Sequence, residues 1–310
     1  MTESSSKAFS ENGCVATVGF FDGVHTGHRF LIEELKEIAR TRNLRSIIIT
    51  FAVHPRKVLN ADFQPQLLNT LDEKNNHLDS MQVDEIIILD FTPQMAQMSA
   101  YEFLEKILKH RFNVKTLLVG HDHRFGHNRA DGFPEYKRYG KKLGMEVIQA
   151  QPYSTPEDEH ISSSEIRLTL QQGEIDRANR LLGYSYSVFG KVIDGFRIGR
   201  KIGFPTANLL VLDADKLIPP LGVYAVRVHW NGNRYTGMMN IGTRPTLADN
   251  NHISLEVNIF NFDQDIYNQT IKVDFIQKIR DERKFNSMDE LIEQLKKDRE
   301  TVKGIMENDK

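Results

Sequence analysis

The sequence predicts a chain in two parts: an α/β half on a doubly wound parallel sheet, then an antiparallel β half, barrel or sandwich, ending in a helix. Three observations predict this. From Val15 to Gln151 short apolar runs alternate with helical patterns; after Gly183 strand-like runs follow one another with only loops between them; and the last stretch is amphipathic with a helix-start signal.

In the first half VATVGFF, SIIITFAV, DEIIILDF, KTLLVG and MEVIQA read as strands. They are nearly continuous in apolar residues, which requires cover on both faces of a parallel sheet. HRFLIEELKEIARTR supplies one helix, with Phe30, Leu31, Leu35 and Ile38 on one side, and SAYEFLEKILKHRF repeats the spacing at Phe103, Leu104, Ile107 and Leu108. Ligands of such sheets bind beyond the carboxyl ends of the strands. In the second half SVFGKVI, GVYAVRVHW, RYTGMMNIG, ISLEVNIF and TIKVDFI read as strands. Within ISLEVNIF, Ile253, Leu255, Val257 and Ile259 alternate with Ser254, Glu256 and Asn258, predicting an apolar face and a polar one. SMDELIEQLKKDRETV closes the chain, with Ser287 and Glu290 at capping-box spacing before Leu291, Ile292 and Leu295. The rhythm changes at Tyr184 to Ser187, so domains are expected at 13–184 and 185–310.

Composition narrows the function. The chain has 310 residues, 40% of them hydrophobic, enough for two cores. With 40 Lys and Arg against 42 Asp and Glu there is no electrostatic case for nucleic acid or a membrane surface, while a small anionic ligand stays open. The lone Cys14 excludes an intrachain disulfide, and MTESSSKAFSENG has no apolar segment of signal-peptide length, so a cytoplasmic protein is expected. IIITFAV is too short to cross a bilayer as a helix. Nothing in the pattern specifies an oligomeric state.

Three stretches carry chemistry. GFFDGVHTGH lies where the first strand gives way to the first helix, so turn amides and the positive end of the helix dipole converge there on an anion. Gly19, Gly23 and Gly27 permit close approach of the backbone, and His25 and His28 offer imidazole donors to phosphate oxygens. Neither the Walker A pattern nor GxGxxG is present, and no third metal ligand stands at suitable spacing. In HISSSEIR, Ser162 and Glu165 fit a capping box, and Arg167, one turn in, suits a phosphate clamp. GKVIDGFRIGRKIGFPTANL reads either as a Gly-Pro hairpin connection or as a phosphate loop, in which the Thr206 hydroxyl and the Asn208 carboxamide are hard oxygen donors suited to Mg²⁺.

These residues also carry a resemblance. GFFDGVHTGH resembles the HxGH element of the nucleotidyltransferase superfamily, in the GxFDGxHxGH form of bacterial FAD synthetases. The resemblance implies AMP transfer from ATP to FMN, with His25 and His28 on the ATP phosphates and Gly19, Phe20, Phe21, Asp22, Gly23 and Gly27 around the nucleotide. HISSSEIR is similar to the family's ISSTxIR, with Ser164 where Thr is common. It implies ATP contacts at Ser162, Ser163 and Ser164 and a pyrophosphate contact at Arg167. Two stretches depart from the family: TFAVHP has Ala52 and Val53 in place of an acid and a proline, and GHDHRFG has His123 in place of a phenylalanine. His54, Asp122 and Phe125 remain as implied flavin contacts.

The second half resembles the riboflavin kinase domain, a β-barrel with a terminal helix, through GFPTANL, IPPLGVYAV, MMNIGTRPTL and the IRDERKF segment in order. The resemblance implies ATP contacts at Gly195, Gly199, Lys201, Gly203, Phe204 and Pro205, Mg²⁺ at Thr206 and Asn208, Glu256 as general base, and Arg280 near the flavin. Together the two halves imply a bifunctional enzyme that phosphorylates riboflavin to FMN and adenylylates FMN to FAD, each step with MgATP. The rival expectations are nucleotide transfer to another phosphate-bearing acceptor, prompted by the two departures, and a flavin sensor without catalysis.

Overall fold

The apolar runs of the first half pair as β1 (Cys14–Val18), β2 (Arg45–Phe51), β3 (Glu85–Leu89), β4 (Val114–Val119) and β5 (Glu146–Gln149). The computed structural model, which describes residues 12–60, 62–64, 66–121, 123–153, 161–195, 198–245 and 250–308, sets them in the order β3-β2-β1-β4-β5, all parallel. Alternate residues serve opposite faces. Ala16, Ile47, Ile49 and Leu117 join one core cluster, while Val15, Ile48 and Leu118 join another. Ile47, Ile48 and Ile49 are fully buried, each contributing about 1.5–3 kcal/mol relative to exposure.

Helices cover both faces, as doubly wound connectivity requires. Around the sheet run α1 (Thr26–Arg42), α2 (Pro55–Leu59), α3 (Leu71–Asp79), α4 (Pro93–Ala96), α5 (Ala100–Glu102) and α6 (Phe133–Leu143). α1 and α3 bury Ile32, Leu35, Ala39 and Leu78 on the Val15 face, and Tyr136 and Leu143 of α6 lie on the other. The helix expected in SAYEFLEKILKHRF forms, but α5 passes into a π-helix over Phe103–Arg111, and the Phe112 amide donates to Ile107, five residues back, at 3.2 Å. Cys14 is buried, and burial pushes its thiol up to about 12, so it is chemically inert.

The second unit begins with α7 (Ser163–Gln171) and α8 (Ile175–Leu182). Then come β6 (Ser187–Ile193), α9 (Ile198–Lys201), β7 (Ala207–Leu210), β8 (Gly222–Trp230), β9 (Asn233–Pro245), β10 (Asn250–Ile259), β11 (Thr270–Arg280) and α10 (Met288–Asn308). Its six strands close in the order β10-β7-β6-β11-β8-β9, all antiparallel, which settles barrel over sandwich. Closure leaves no free sheet edge. Val188, Val226, Val228, Met239, Val257, Val273 and Phe275 are fully buried. α10 lays Ile292, Leu295 and Val302 on Val223, Ala225, Met238 and Ile276.

Three details differ from the sequence reading. The compact units divide after Ser162, because α7 and α8 belong with the barrel: Asn179 donates to the Phe275 carbonyl (2.9 Å) and accepts from the Tyr186 amide (2.7 Å). Ile253, expected in the core, is 54% exposed, while Asn258 on the polar face is only 3% exposed. At α10, Ser287 Oγ caps the Glu290 amide, but Glu290 accepts from Asn286 and not from Ser287 itself.

Candidate functional site

In the first unit the site grows from the end of β1. The Gly19 amide donates to Ile49 of β2 at 3.0 Å, and the chain then turns tightly, with positive φ at Phe21 (56°), Gly23 (82°) and Val24 (35°), before α1 begins. Gly23 suits that conformation; Phe21 and Val24 are held in it by burial. His25 is the N-cap of α1, its Nδ1 accepting from the His28 amide at 3.3 Å. The two imidazoles stack, centroids 3.6 Å apart and planes 16° apart, and Phe21 packs edge-on against His28 at 5.1 Å.

His28 Nδ1 is enclosed and meets no hydrogen-bond partner among the described residues. Burial, then the neighbouring His25 and His123, hold this imidazole well below its ordinary range, so at neutral pH it is uncharged. An arriving polyphosphate reverses that balance, because a nearby anion favours the protonated ring. His123, the departure from the family pattern, is thus a third imidazole of the same neighbourhood, pushed down to about 4 by burial and by Arg129.

The rest of the wall is aromatic. Phe20 is half-buried, edge-on to His54 at 4.7 Å, and His54 caps α2 by accepting from the Arg56 amide at 3.1 Å. Phe125 stacks on the buried Tyr136 at 4.2 Å. Asp122 lies outside the described residues. Asp22 and Phe21, expected around the nucleotide, face inward. Asp22 is 3% exposed, and its carboxylate accepts from the Leu68 and Asn69 amides at 3.0 and 3.2 Å, bracing the turn from beneath.

Sequence reasoning missed Lys74. It is 2% exposed, donates to the Phe51 carbonyl at the end of β2 (2.7 Å), and sets its ammonium over the Phe20 ring at 4.1 Å. Burial pulls it down to about 8 while Asp22 opposes the shift. The available signal was its place four residues before the buried Leu78, on the inner side of α3.

Ser162 is the last residue of the first unit, and Ser163, Ser164 and Arg167 stand at the start of the second, in α7. The Glu165 carboxylate pairs with Arg177 of α8 at 2.9 Å.

In the barrel, strand register assembles the other candidate residues. Glu256 of β10 lies opposite Asn208 of β7 and opposite Asn240 of β9, so all three share the polar face. Gly195 and Pro205, the two ends of the glycine-rich stretch, lie over that face: Gly195 packs on the Asn208 carboxamide, and Asn258 Nδ2 donates to the Pro205 carbonyl at 2.6 Å. This explains why Asn208 and Asn258 are buried. α9 and the Gly203 turn (φ 81°) fold the stretch back, with the Phe204 amide on Gly199 O at 2.8 Å. A Cβ at Gly199 would collide with the Phe204 carbonyl. Lys201 is exposed at the end of α9.

Thr206 and Asn208 offer oxygen donors, and Asn258 Oδ1, buried with no partner among the described residues, is one more oxygen beside the same turn. That donor set fits Mg²⁺. No cluster of three or more His, Cys, Asp or Glu among the described residues could hold a metal, so an ion here would take most of its ligands from substrate phosphates and water. Arg280, expected near the flavin, clamps α10: it holds the buried Asp298 at 2.8–3.1 Å through Nε and one terminal nitrogen, and the other donates to the Asp281 carbonyl.

Two family models match the chain: FAD synthetase over residues 7–165 and riboflavin kinase over residues 182–306. The chain belongs to the bifunctional riboflavin kinase/FMN adenylyltransferase family. A protein of that name from Bacillus subtilis is 36% identical over 301 residues, covering 92% of this chain and 90% of its own. Another from Haemophilus influenzae is 37% identical over 294 residues, covering 94% of each. A Streptococcus pneumoniae crystal structure, described as a macrolide-efflux protein, superposes with a TM-score of 0.86 at 34% identity over 95% of both chains. Among the described residues no helix is long and apolar enough to cross a membrane.

Proposed function

We propose that the chain runs both reactions of its family, phosphorylating riboflavin in the barrel and adenylylating the resulting FMN in the α/β unit. The observation that carries this reading is the register of β7, β10 and β9, which puts Glu256 on one face with Asn208, the residue on which Gly195 packs.

In the barrel Glu256 accepts the proton of the riboflavin 5′-hydroxyl as its oxygen attacks the γ-phosphorus of ATP and the bond to ADP breaks. Gly195, Gly199, Lys201, Gly203, Phe204 and Pro205 surround the phosphates, and Thr206 and Asn208 are the residues that would hold Mg²⁺. When bound, that ion supplies neutralisation of the charge that builds on the phosphate oxygens. Arg280 acts on the flavin side by fixing the end of β11 to α10.

In the α/β unit a phosphate oxygen of FMN attacks the α-phosphorus of ATP and pyrophosphate leaves. His25 and His28 steady the charge on those oxygens, with turn amides from Gly19 to Gly27 and the start of α1 behind them. On the strength of the resemblance alone, Ser162, Ser163 and Ser164 are assigned to ATP and Arg167 to pyrophosphate. His54, Phe125 and Asp122 are assigned to FMN on the same ground. The functional division is set at 184/185, close to the start of the riboflavin kinase match at 182.

Incubation with riboflavin, ATP and Mg²⁺, with products separated over time, tests the scheme: FMN is expected first, then FAD with pyrophosphate. Absence of FMN would overturn the barrel assignment. His123 favours one alternative for the first unit, a different phosphate-bearing acceptor. Supplying FMN and ATP and finding neither FAD nor pyrophosphate would select it.

A further inference from the structure

Two residues outside the glycine-rich stretch grip consecutive residues inside it. Asn258 of β10, 3% exposed and two residues beyond Glu256, donates from Nδ2 to the Pro205 carbonyl at 2.6 Å. Arg299 of α10 lays its guanidinium over the Phe204 ring at 4.3 Å, with Phe260 at 5.5 Å. Each also keeps a buried polar atom that meets no partner among the described residues: Oδ1 of Asn258 and Nε of Arg299. An orphaned buried donor or acceptor is costly, and native proteins retain few of them. Here one is an acceptor and the other a cationic donor, and both flank the residues just before Thr206. That pairing is complementary to a hydrated cation on an anionic phosphate chain.

We propose that Asn258 and Arg299 are positioning residues for MgATP in the phosphorylation step, a clamp from β10 and α10 that fixes Phe204 and Pro205 and so orients the Thr206 and Asn208 donors. The clamp rests on the kinase reading above. It acts through the loop and takes no part in the chemistry. Arg299 follows Asp298, the partner of Arg280, so one turn of α10 meets both the nucleotide stretch and the end of β11.

The test uses the full-length chain and measures ADP binding by calorimetry, with Mg²⁺ and with EDTA, alongside KM and kcat for both reactions. Asn258→Leu and Arg299→Met are each expected to weaken MgADP binding and raise the kinase KM for ATP about tenfold, with the KM for riboflavin within about twofold. FMN-to-FAD conversion by the same preparations stays at the wild-type level, and the near-normal KM for riboflavin reports that the barrel has folded. Arg299→Lys, which keeps the charge and loses the flat guanidinium, recovers part of the loss. Since both residues hold one dipeptide, the double variant loses less than the sum of the two. Unchanged MgADP affinity in both single variants, equal losses toward riboflavin and ATP, or full additivity would overturn the clamp. Wild-type levels of MgADP binding in Thr206→Ala and Asn208→Ala would instead overturn the loop assignment on which it rests.

Discussion

The two units solve one problem, holding a triphosphate, with different materials. The parallel sheet offers converging amides at a strand end, so its candidate site is a tight turn, a helix start and two uncharged stacked rings. An antiparallel barrel has no such convergence, so its candidate site lies on the polar side of paired strands, where Gly195 packs on Asn208, with oxygen donors and a carboxylate. The difference teaches that architecture decides which residues can serve: imidazoles and amides where strand ends open, carboxamides and hydroxyls where strand faces are covered.

A crossed pair of substitutions breaks or upholds that contrast most sharply. Glu256→Gln is expected to lower FMN formation about a thousandfold and leave FMN-to-FAD conversion intact. His28→Ala is expected to lower FAD formation from FMN about a hundredfold while riboflavin phosphorylation continues. Chromatography of flavin products reads both, and loss of both activities from either change in folded protein would dissolve the distinction between the sites.

A smaller effect sharpens the barrel side. Arg280→Met leaves the Asp298 carboxylate buried without its clamp, which costs about 3 kcal/mol. Urea unfolding should show that loss, and FAD formation from FMN should persist below the new melting point.

The smallest effect belongs to the α/β side and is a pH dependence. Lys74 has a folded pKa of about 8 against an ordinary 10.5. Between those values the unfolded chain binds more protons than the folded one, so stability rises with pH through that window. In thermal unfolding from pH 7 to 10, wild-type protein should gain steadily on Lys74→Met; parallel curves would remove the buried ammonium from the base of the site.

Much of this was legible in the sequence because it rests on local pattern. Strand periodicity located all five strands of the first unit and every barrel strand except β7, whose four residues read as part of a loop, and the spacing from Gly19 to His28 marked the turn before any pairing was known. What escaped depends on contacts distant along the chain. Nothing near Ile253 says that its part of β10 leaves the core, and nothing near Asn258 says that a loop 53 residues away covers it. The brace from Asp22 escaped because its amide partners lie 46 and 47 residues on. The Arg280–Asp298 pair escaped for the same reason, its members standing 18 residues apart. Helices α7 and α8 precede the change of rhythm, yet Asn179 ties them to β11.

The cap on α1 has one more consequence. Because Nδ1 of His25 already receives the amide of residue 28, the only proton of that uncharged ring sits on Nε2. Its tautomer is therefore chosen by the fold before substrate arrives, and no proton has to migrate within the ring when phosphate docks.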